Sequence, residues 1–348
     1  MKKAIRLRRL TRMSIEMTTR IMQIDDESLA LAKKLLEEGD AVAFPTETVY
    51  GLGADARRDD AVARIYQIKG RPSDNPLIVH VHKDYDLDSL VEDDRPYAKK
   101  LRDAFLPGPL TLVYKSRKTV CSRVSCGLDT LAVRVPSHEG TQRFLRYADM
   151  PIAAPSANIS KHISPVSADH VYEDLNGKIS LILDGGRCSG GIESTVCDVT
   201  GEYPVVLRTG LVSAEMIADV VGRCEIYKPK EGERVRSPGM KYKHYAPKCK
   251  TKLFGGDELD SAVKAFGELE RQGARVYVLC GDEVKDLFPS DKILDLGKTE
   301  TEMAANLYEL LHEGEKIADV ILAVEPKKKD GVMAGVINRL SKACAEER

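Results

Sequence analysis

Four side chains that can bind an anion lie close together between residues 69 and 80, where the chain reads K-G-R-P-S-D-N-P-L-I-V-H. Lys69 and Arg71 supply positive charge, and Asn75 and His80 supply further hydrogen-bonding groups. One glycine and two prolines prevent a helix from continuing, so the cations lie on irregular backbone where phosphate oxygens can reach them. The pattern favours a phosphate-binding loop, and the alternative is a solvated basic turn.

A second loop, residues 45–53, carries hydroxyl groups directly after a short apolar strand and reads P-T-E-T-V-Y-G-L-G. The G-L-G-A-D-A segment at 51–56, which overlaps the end of this loop, formally matches a dinucleotide-binding fingerprint. However, the first six residues of the loop separate this segment from the strand that should precede it directly. In addition, a proline stands about twenty residues further on, where a dinucleotide site needs an acidic residue. The chain has no G-x-x-x-x-G-K-[ST] segment either. We therefore exclude a nicotinamide site and a P-loop. Glu47 either orients the two threonines beside it or faces solvent.

Further polar residues stand where predicted strands meet loops rich in glycine, proline or hydroxyl groups. They are Thr130, Arg134, Ser156, Ser194 and Arg208. In an open α/β sheet the loops at strand ends form the binding crevice, so these residues are expected to converge on one site. The alternative is that the hydroxyl residues only terminate strands or form turns.

Six short segments together resemble the YrdC-type threonylcarbamoyl-AMP synthase family. In chain order they are P-T-E-T-V-Y-G-L-G, K-G-R-P-S-D-N-P-L-I-V-H, P-G-P-L-T, V-R-V-P, P-S-A-N and E-S-T. The resemblance covers roughly residues 25–225. The segment S-P-G-M-K-Y-K-H-Y-A-P at 237–247 and the domain that follows it resemble the longer, two-domain form of the family.

The resemblance implies a nucleotidyltransferase that condenses L-threonine, bicarbonate and ATP into L-threonylcarbamoyladenylate and pyrophosphate. A partner tRNA threonylcarbamoyl transferase complex would then move the threonylcarbamoyl group to N6 of adenosine 37 in tRNAs that read codons beginning with A. Such chemistry needs a neutralised triphosphate, an aligned carbamate and exclusion of water, but no covalent protein nucleophile.

The resemblance also implies a role for individual residues. The expected L-threonine ligands are Thr48, His80, Arg134, Ala154 and Ser194. The expected ATP ligands are Lys69, Arg71, Asn75, Thr130, Ser156, Ser164, Arg208 and Tyr242, with Lys69 and Arg71 as the catalytic pair. A Mg²⁺ ion would bridge the phosphates with mostly water ligands, so no dedicated protein metal site is expected.

The elements that must position these residues alternate between helix and strand, which predicts an α/β fold. We expect a twisted mixed sheet around a large concave cavity, followed by a smaller Rossmann-like parallel α/β domain. The expected organisation is a flexible N-terminal extension at 1–22, a YrdC-like catalytic domain at 23–225, a linker or lid at 226–248, and the C-terminal domain at 249–348. Tyr242 lies on the expected lid, although the aromatic residues there could merely pin a linker.

Composition narrows the class of protein further. The 348 residues include 53 basic and 54 acidic side chains, so no global basic field indicates nucleic-acid binding, and only weak, local RNA contact stays open. The eight cysteines show no C-x-x-C pair and predict reduced thiols. No apolar run is long enough for a membrane span or signal core, which predicts a cytoplasmic protein. Two alternatives to the synthase are an RNA-binding module with the same fold and an enzyme forming carbamoyl-adenylate.

Overall fold

A computed structural model describes residues 18–93, 95–228 and 245–345. Its larger sheet is built from twelve strands, and both parallel and antiparallel neighbours occur in it. These strands are β1 (Arg20–Gln23), β2 (Val42–Phe44), β3 (Gly51–Asp55), β4 (Ile78–His80), β5 (Val91–Glu92), β6 (Leu110–Ser116), β7 (Thr130–Arg134), β8 (Ile152–Ala154), β9 (Leu181–Asp184), β10 (Thr195–Asp198), β11 (Val205–Arg208) and β12 (Glu225–Ile226). Their order is β1-β9-β2-β3-β8-β4-β7-β6-β10-β11-β12, with β5 paired to β6.

Helices connect these strands, and their ends follow the local sequence signals. They are α1 (Asp26–Glu37), α2 (Asp59–Lys69), α3 (Pro96–Phe105), α4 (Ser122–Ser125), α5 (Glu139–Ala148), α6 (Ala168–Leu175) and α7 (Ala214–Val221). Asp25 caps α1 through a reciprocal capping box with Ser28. Gly70 ends α2 in the left-handed conformation, which turns the chain into the basic loop.

The second sheet has four parallel strands in the order β13-β16-β14-β15. Its strands are β13 (Lys250–Phe254), β14 (Val276–Cys280), β15 (Ile293–Asp295) and β16 (Val320–Val324). Its helices are α8 (Leu259–Arg271), α9 (Glu300–Ile317) and α10 (Met333–Ala343). The predicted fold class, a mixed sheet followed by a smaller parallel α/β domain, is confirmed.

One apolar core joins the two sheets. Buried residues of the larger sheet, such as Val79 of β4, belong to the same cluster as Leu307 and Leu311 of α9. The C-terminal domain therefore buries apolar surface against the larger domain instead of standing apart from it.

The C-terminal boundary of the predicted N-terminal extension, residue 22, is wrong, because a strand begins before it. Arg20–Gln23 form β1, which pairs in parallel with β9, and the buried Thr19 hydroxyl donates to the Ile179 carbonyl at 2.6 Å. The strand escaped prediction because it is short and only partly buried, so it lacks an alternating apolar pattern. Residues 1–17 lie outside the described part of the chain. Within the described residues, no helix is long and apolar enough to cross a membrane.

Candidate active site

One cleft collects predicted site residues that are far apart in the sequence. Its lining includes Thr48, Arg71, His80, Arg134, Ala154, Ser156, Ser164, Ser194 and Arg208. Three of these lie in neighbouring strands, because β4 pairs with both β7 and β8. His80 is in register with Arg134 on one side, and Ile78 is in register with Ala154 on the other. The sheet thus brings the predicted threonine ligands together.

Arg134 is buried at the end of β7 and is held from several directions. It donates to the Thr48 hydroxyl at 2.8 Å and forms an ion pair with Glu47 at 2.9 Å. Burial alone would raise the pKa of Glu47, but the charge and hydrogen bond of Arg134 bring that pKa below its ordinary value. Of the two readings left open for Glu47, solvent exposure is wrong, because its side chain is only 11% exposed and faces the arginine.

His80 is a neutral imidazole in this cleft. Burial, together with the charge of Arg134, lowers its pKa to about 3. Its Nδ1 lies 3.1 Å from the carbonyl oxygen of Ile78, which can only accept a hydrogen bond. A hydrogen bond to this carbonyl requires the ring proton to be on Nδ1.

Ser194 and Arg208 form the opposite part of the site. Arg208 donates to the Ser194 carbonyl at 3.1 and 2.9 Å and to its hydroxyl at 3.2 Å, while the same hydroxyl lies 2.8 Å from that of Thr111. Burial and the nearby charge of Arg339 lower the pKa of Arg208 to about 10. The guanidinium therefore stays charged at neutral pH while being held in one orientation.

Lys69 does not line the cleft but lies behind one of its loops. Its buried ammonium donates to the carbonyls of Ser156, at 2.6 Å, and Asn158, and to the Asn158 side-chain oxygen at 3.3 Å. Burial and the charge of Arg71 lower its pKa. In this arrangement Lys69 fixes the P-S-A-N loop, and its predicted contact with ATP stays a prediction.

Asn75 and Thr130 also lie outside the cleft lining. The Asn75 side chain is buried, and its amide has no hydrogen-bond partner among the described residues. Thr130 begins β7 whereas Arg134 ends it, so about 13 Å of strand separates them. A ligand must extend along the sheet to reach both. Tyr242 lies outside the described residues.

The lining also contains two residues that were not among the predicted ligands, Glu193 and Tyr245. Glu193 is buried and accepts a hydrogen bond from the Ser164 hydroxyl at 2.6 Å. Tyr245 is buried and its ring lies 5.2 Å from that of Tyr308. An acid inside the otherwise apolar and small G-G-I-E-S-T segment was the available signal for Glu193.

The described residues contain no group of three or more histidine, cysteine, aspartate or glutamate side chains arranged to hold a metal ion. The lining carboxylate, Glu193, is already engaged by hydrogen bonds, and Glu47 is paired with Arg134. This donor set does not fit a resident metal ion, because hard cations require several free oxygen ligands.

Comparison with known proteins adds independent findings. Residues 34–210 match the Sua5, YciO and YrdC family, described as "Telomere recombination", and residues 212–345 match the C-terminal domain of threonylcarbamoyl-AMP synthase. The chain is 42% identical to a threonylcarbamoyl-AMP synthase of Pyrococcus abyssi, covering 92% of this chain and 95% of that protein. It is 41% identical to a Bacillus subtilis protein of the same name, covering 92% and 94%. The crystal structure of P. abyssi Sua5 complexed with L-threonine superposes with a TM-score of 0.85 at 40% identity, covering 94% of this chain and 97% of that one.

Proposed function

This chain belongs to the threonylcarbamoyl-AMP synthase family in its two-domain form, and from that premise we propose that it condenses L-threonine, bicarbonate and ATP into L-threonylcarbamoyladenylate. In this reaction the threonine amine forms a carbamate with the carbon of bicarbonate, and water is released. A carbamate oxygen then attacks the α-phosphorus of ATP and displaces pyrophosphate. The product would pass to a tRNA threonylcarbamoyl transferase in the cytoplasm.

The observation that carries the proposal is the presence of three arginines, Arg71, Arg134 and Arg208, in the lining of one cleft. One substrate is an amino acid with a carboxylate and the other is a triphosphate, so the site needs two separate cationic anchors. Arg134 lies among Thr48, His80 and Ala154, a small enclosure that suits an amino acid. The relative solved in complex with L-threonine supports threonine as the amino-acid substrate.

The nucleotide would occupy the remainder of the cleft. Arg71 is held by two hydrogen bonds of 3.3 Å to the carbonyls of Asn75 and Pro76, and its Nε has no partner among the described residues. Together with Ser156 it would hold phosphate oxygens, and Lys69 would keep the loop of Ser156 in place. The remaining proposed ATP contacts are Asn75, Thr130, Ser164, Arg208 and Tyr242.

No side chain needs to act as a nucleophile in this scheme. The cleft would hold the carbamate oxygen in line with the leaving pyrophosphate and would stabilise the charge that develops on the phosphates. Mg²⁺ would arrive with ATP and keep mostly phosphate and water ligands, since the protein offers few free carboxylates. The expected lid at 226–248 stays a prediction, because residues 229–244 lie outside the described part of the chain.

The test is amino-acid-dependent release of pyrophosphate. The full chain is incubated with ATP, Mg²⁺, bicarbonate and each amino acid in turn, and the adenylate product is identified by mass spectrometry. We expect release with L-threonine, and its loss in Arg134→Met. Release that does not depend on which amino acid is added would overturn the proposal.

A further inference from the structure

Two helices of the C-terminal domain touch the loops that form the cleft. Gly191, two residues before Glu193, adopts φ +70°, and a Cβ there would lie 2.3 Å from a backbone carbonyl oxygen of α9. A Cβ on Gly335 of α10 would lie 3.1 Å from the Cα of Gly210, two residues after Arg208. The backbones of α9 and α10 are therefore in close contact with the segments that carry the cleft residues Glu193 and Arg208.

Side chains from these helices continue the contact into the site. The carboxylate of Glu193 accepts hydrogen bonds from Ser164 at 2.6 Å, from Tyr308 of α9 at 3.0 Å and from Arg339 of α10 at 3.0 Å. Arg339 has no exposed surface, and it also donates to the carbonyl of Thr209 at 2.6 Å. A single buried cluster thus links the C-terminal domain to Ser164 and to the end of β11, where Arg208 lies.

From this geometry we infer that Arg339 is a positioning residue of the ATP site, an inference that rests on the proposed function. Glu193 is a buried acid in a cleft that must accept a triphosphate, so its charge opposes the ligand unless a cation neutralises it. Arg339 supplies that cation from outside the cleft. Without it, the Glu193 carboxylate repels phosphate oxygens and attracts the guanidinium of Arg208.

The protonation state of Glu193 agrees with this role. Burial by itself raises the pKa of Glu193, but the charges of Arg339 and Arg208 lower it to about 2. The residue is therefore ionised at neutral pH, and the negative charge that Arg339 offsets is present under working conditions. Tyr308 and Ser164 satisfy the other lone pairs of the carboxylate.

The experiment compares ATP and L-threonine affinities in the full chain by calorimetry, using a nonhydrolysable ATP analogue. In Arg339→Met we expect ATP affinity to fall on the order of tenfold, the scale of one charge-assisted hydrogen bond, while threonine affinity stays within about twofold. Glu193→Gln combined with Arg339→Met should recover most of the loss, because the unpaired charge is gone. Arg339→Lys should be intermediate.

Leu311→Ala is the matched control, since Leu311 is buried on α9 in the shared apolar core and its side chain cannot form a hydrogen bond or ion pair with Glu193. It should lower the melting temperature without a selective loss of ATP binding. Equal losses for both ligands in Arg339→Met, or no recovery in the double variant, would make Arg339 a structural brace and overturn the inference. If Arg339→Met does not fold, the ATP and L-threonine affinities of Arg339→Lys are compared with those of the double variant, and the same outcomes apply. A wild-type chain that binds neither ligand would instead overturn the proposed function.

Discussion

Replacing Arg134 by methionine should produce a loss of stability that depends on pH. In the structure Arg134 pairs with Glu47 at 2.9 Å, and the Glu47 side chain is 11% exposed. Methionine keeps much of the side-chain volume but removes the cation. Glu47 is then buried without a charged partner, and a carboxylate in that position takes up a proton rather than remain ionised.

The cost of that protonation sets the magnitude. The ordinary pKa of a glutamate is 4.5, so at pH 7 neutralising Glu47 costs about 3.4 kcal/mol, at about 1.36 kcal/mol for each pH unit. At pH 5.5 the same step costs only about 1.4 kcal/mol. In the wild type the pKa of Glu47 is lowered, so its contribution is present above the ordinary pKa and is lost only as pH falls through the folded-state pKa. The difference between wild type and variant should therefore shrink by about 2 kcal/mol between pH 7 and pH 5.5.

Urea unfolding at the two pH values measures this difference. The double variant Glu47→Gln/Arg134→Met is the control, because it carries no unpaired charge at position 47. It also reports any contribution from His80, whose pKa Arg134 helps to lower. A destabilisation by Arg134→Met that is the same at both pH values, or that changes equally in the double variant, would refute the pairing argument.

Three further predictions concern the other side chains of the site. Arg71→Ala should weaken ATP binding by about 1.5–3 kcal/mol and leave threonine binding unchanged in calorimetric titrations, and equal losses for both ligands would point to misfolding. The control Arg64→Ala, on the preceding helix α2 and paired with Asp40, should change neither affinity. Lys69→Met should lower the melting temperature as well as ATP affinity, because the P-S-A-N loop loses the ammonium that binds its oxygen atoms. A loss of ATP affinity at an unchanged melting temperature would mean that Lys69 acts only on the ligand. The ring of His80 should show no titration between pH 5 and 8 by NMR, since its pKa is about 3; a midpoint near 6.5 would contradict its burial beside Arg134.

Local sequence determined the elements and much of the cleft. Capping residues, glycines and apolar runs marked helices such as α1 and α2, because these signals act between residues a few positions apart. Polar residues at strand ends identified Arg134, Ser194 and Arg208, since strand ends in an α/β sheet face a common crevice. The motifs also indicated the family, which the comparisons show independently.

Tertiary structure decided which of these side chains face the cleft and what holds them. The sequence does not state that Lys69 turns toward the backbone of Ser156 and Asn158, because that contact joins segments about ninety residues apart. It equally does not reveal that Arg339 reaches Glu193, since nothing near either residue encodes the partner. Propensity and spacing fix local conformation, whereas the pairing of buried charges depends on how whole domains pack, and here that packing brings Arg339 of the C-terminal domain against Glu193 of the cleft.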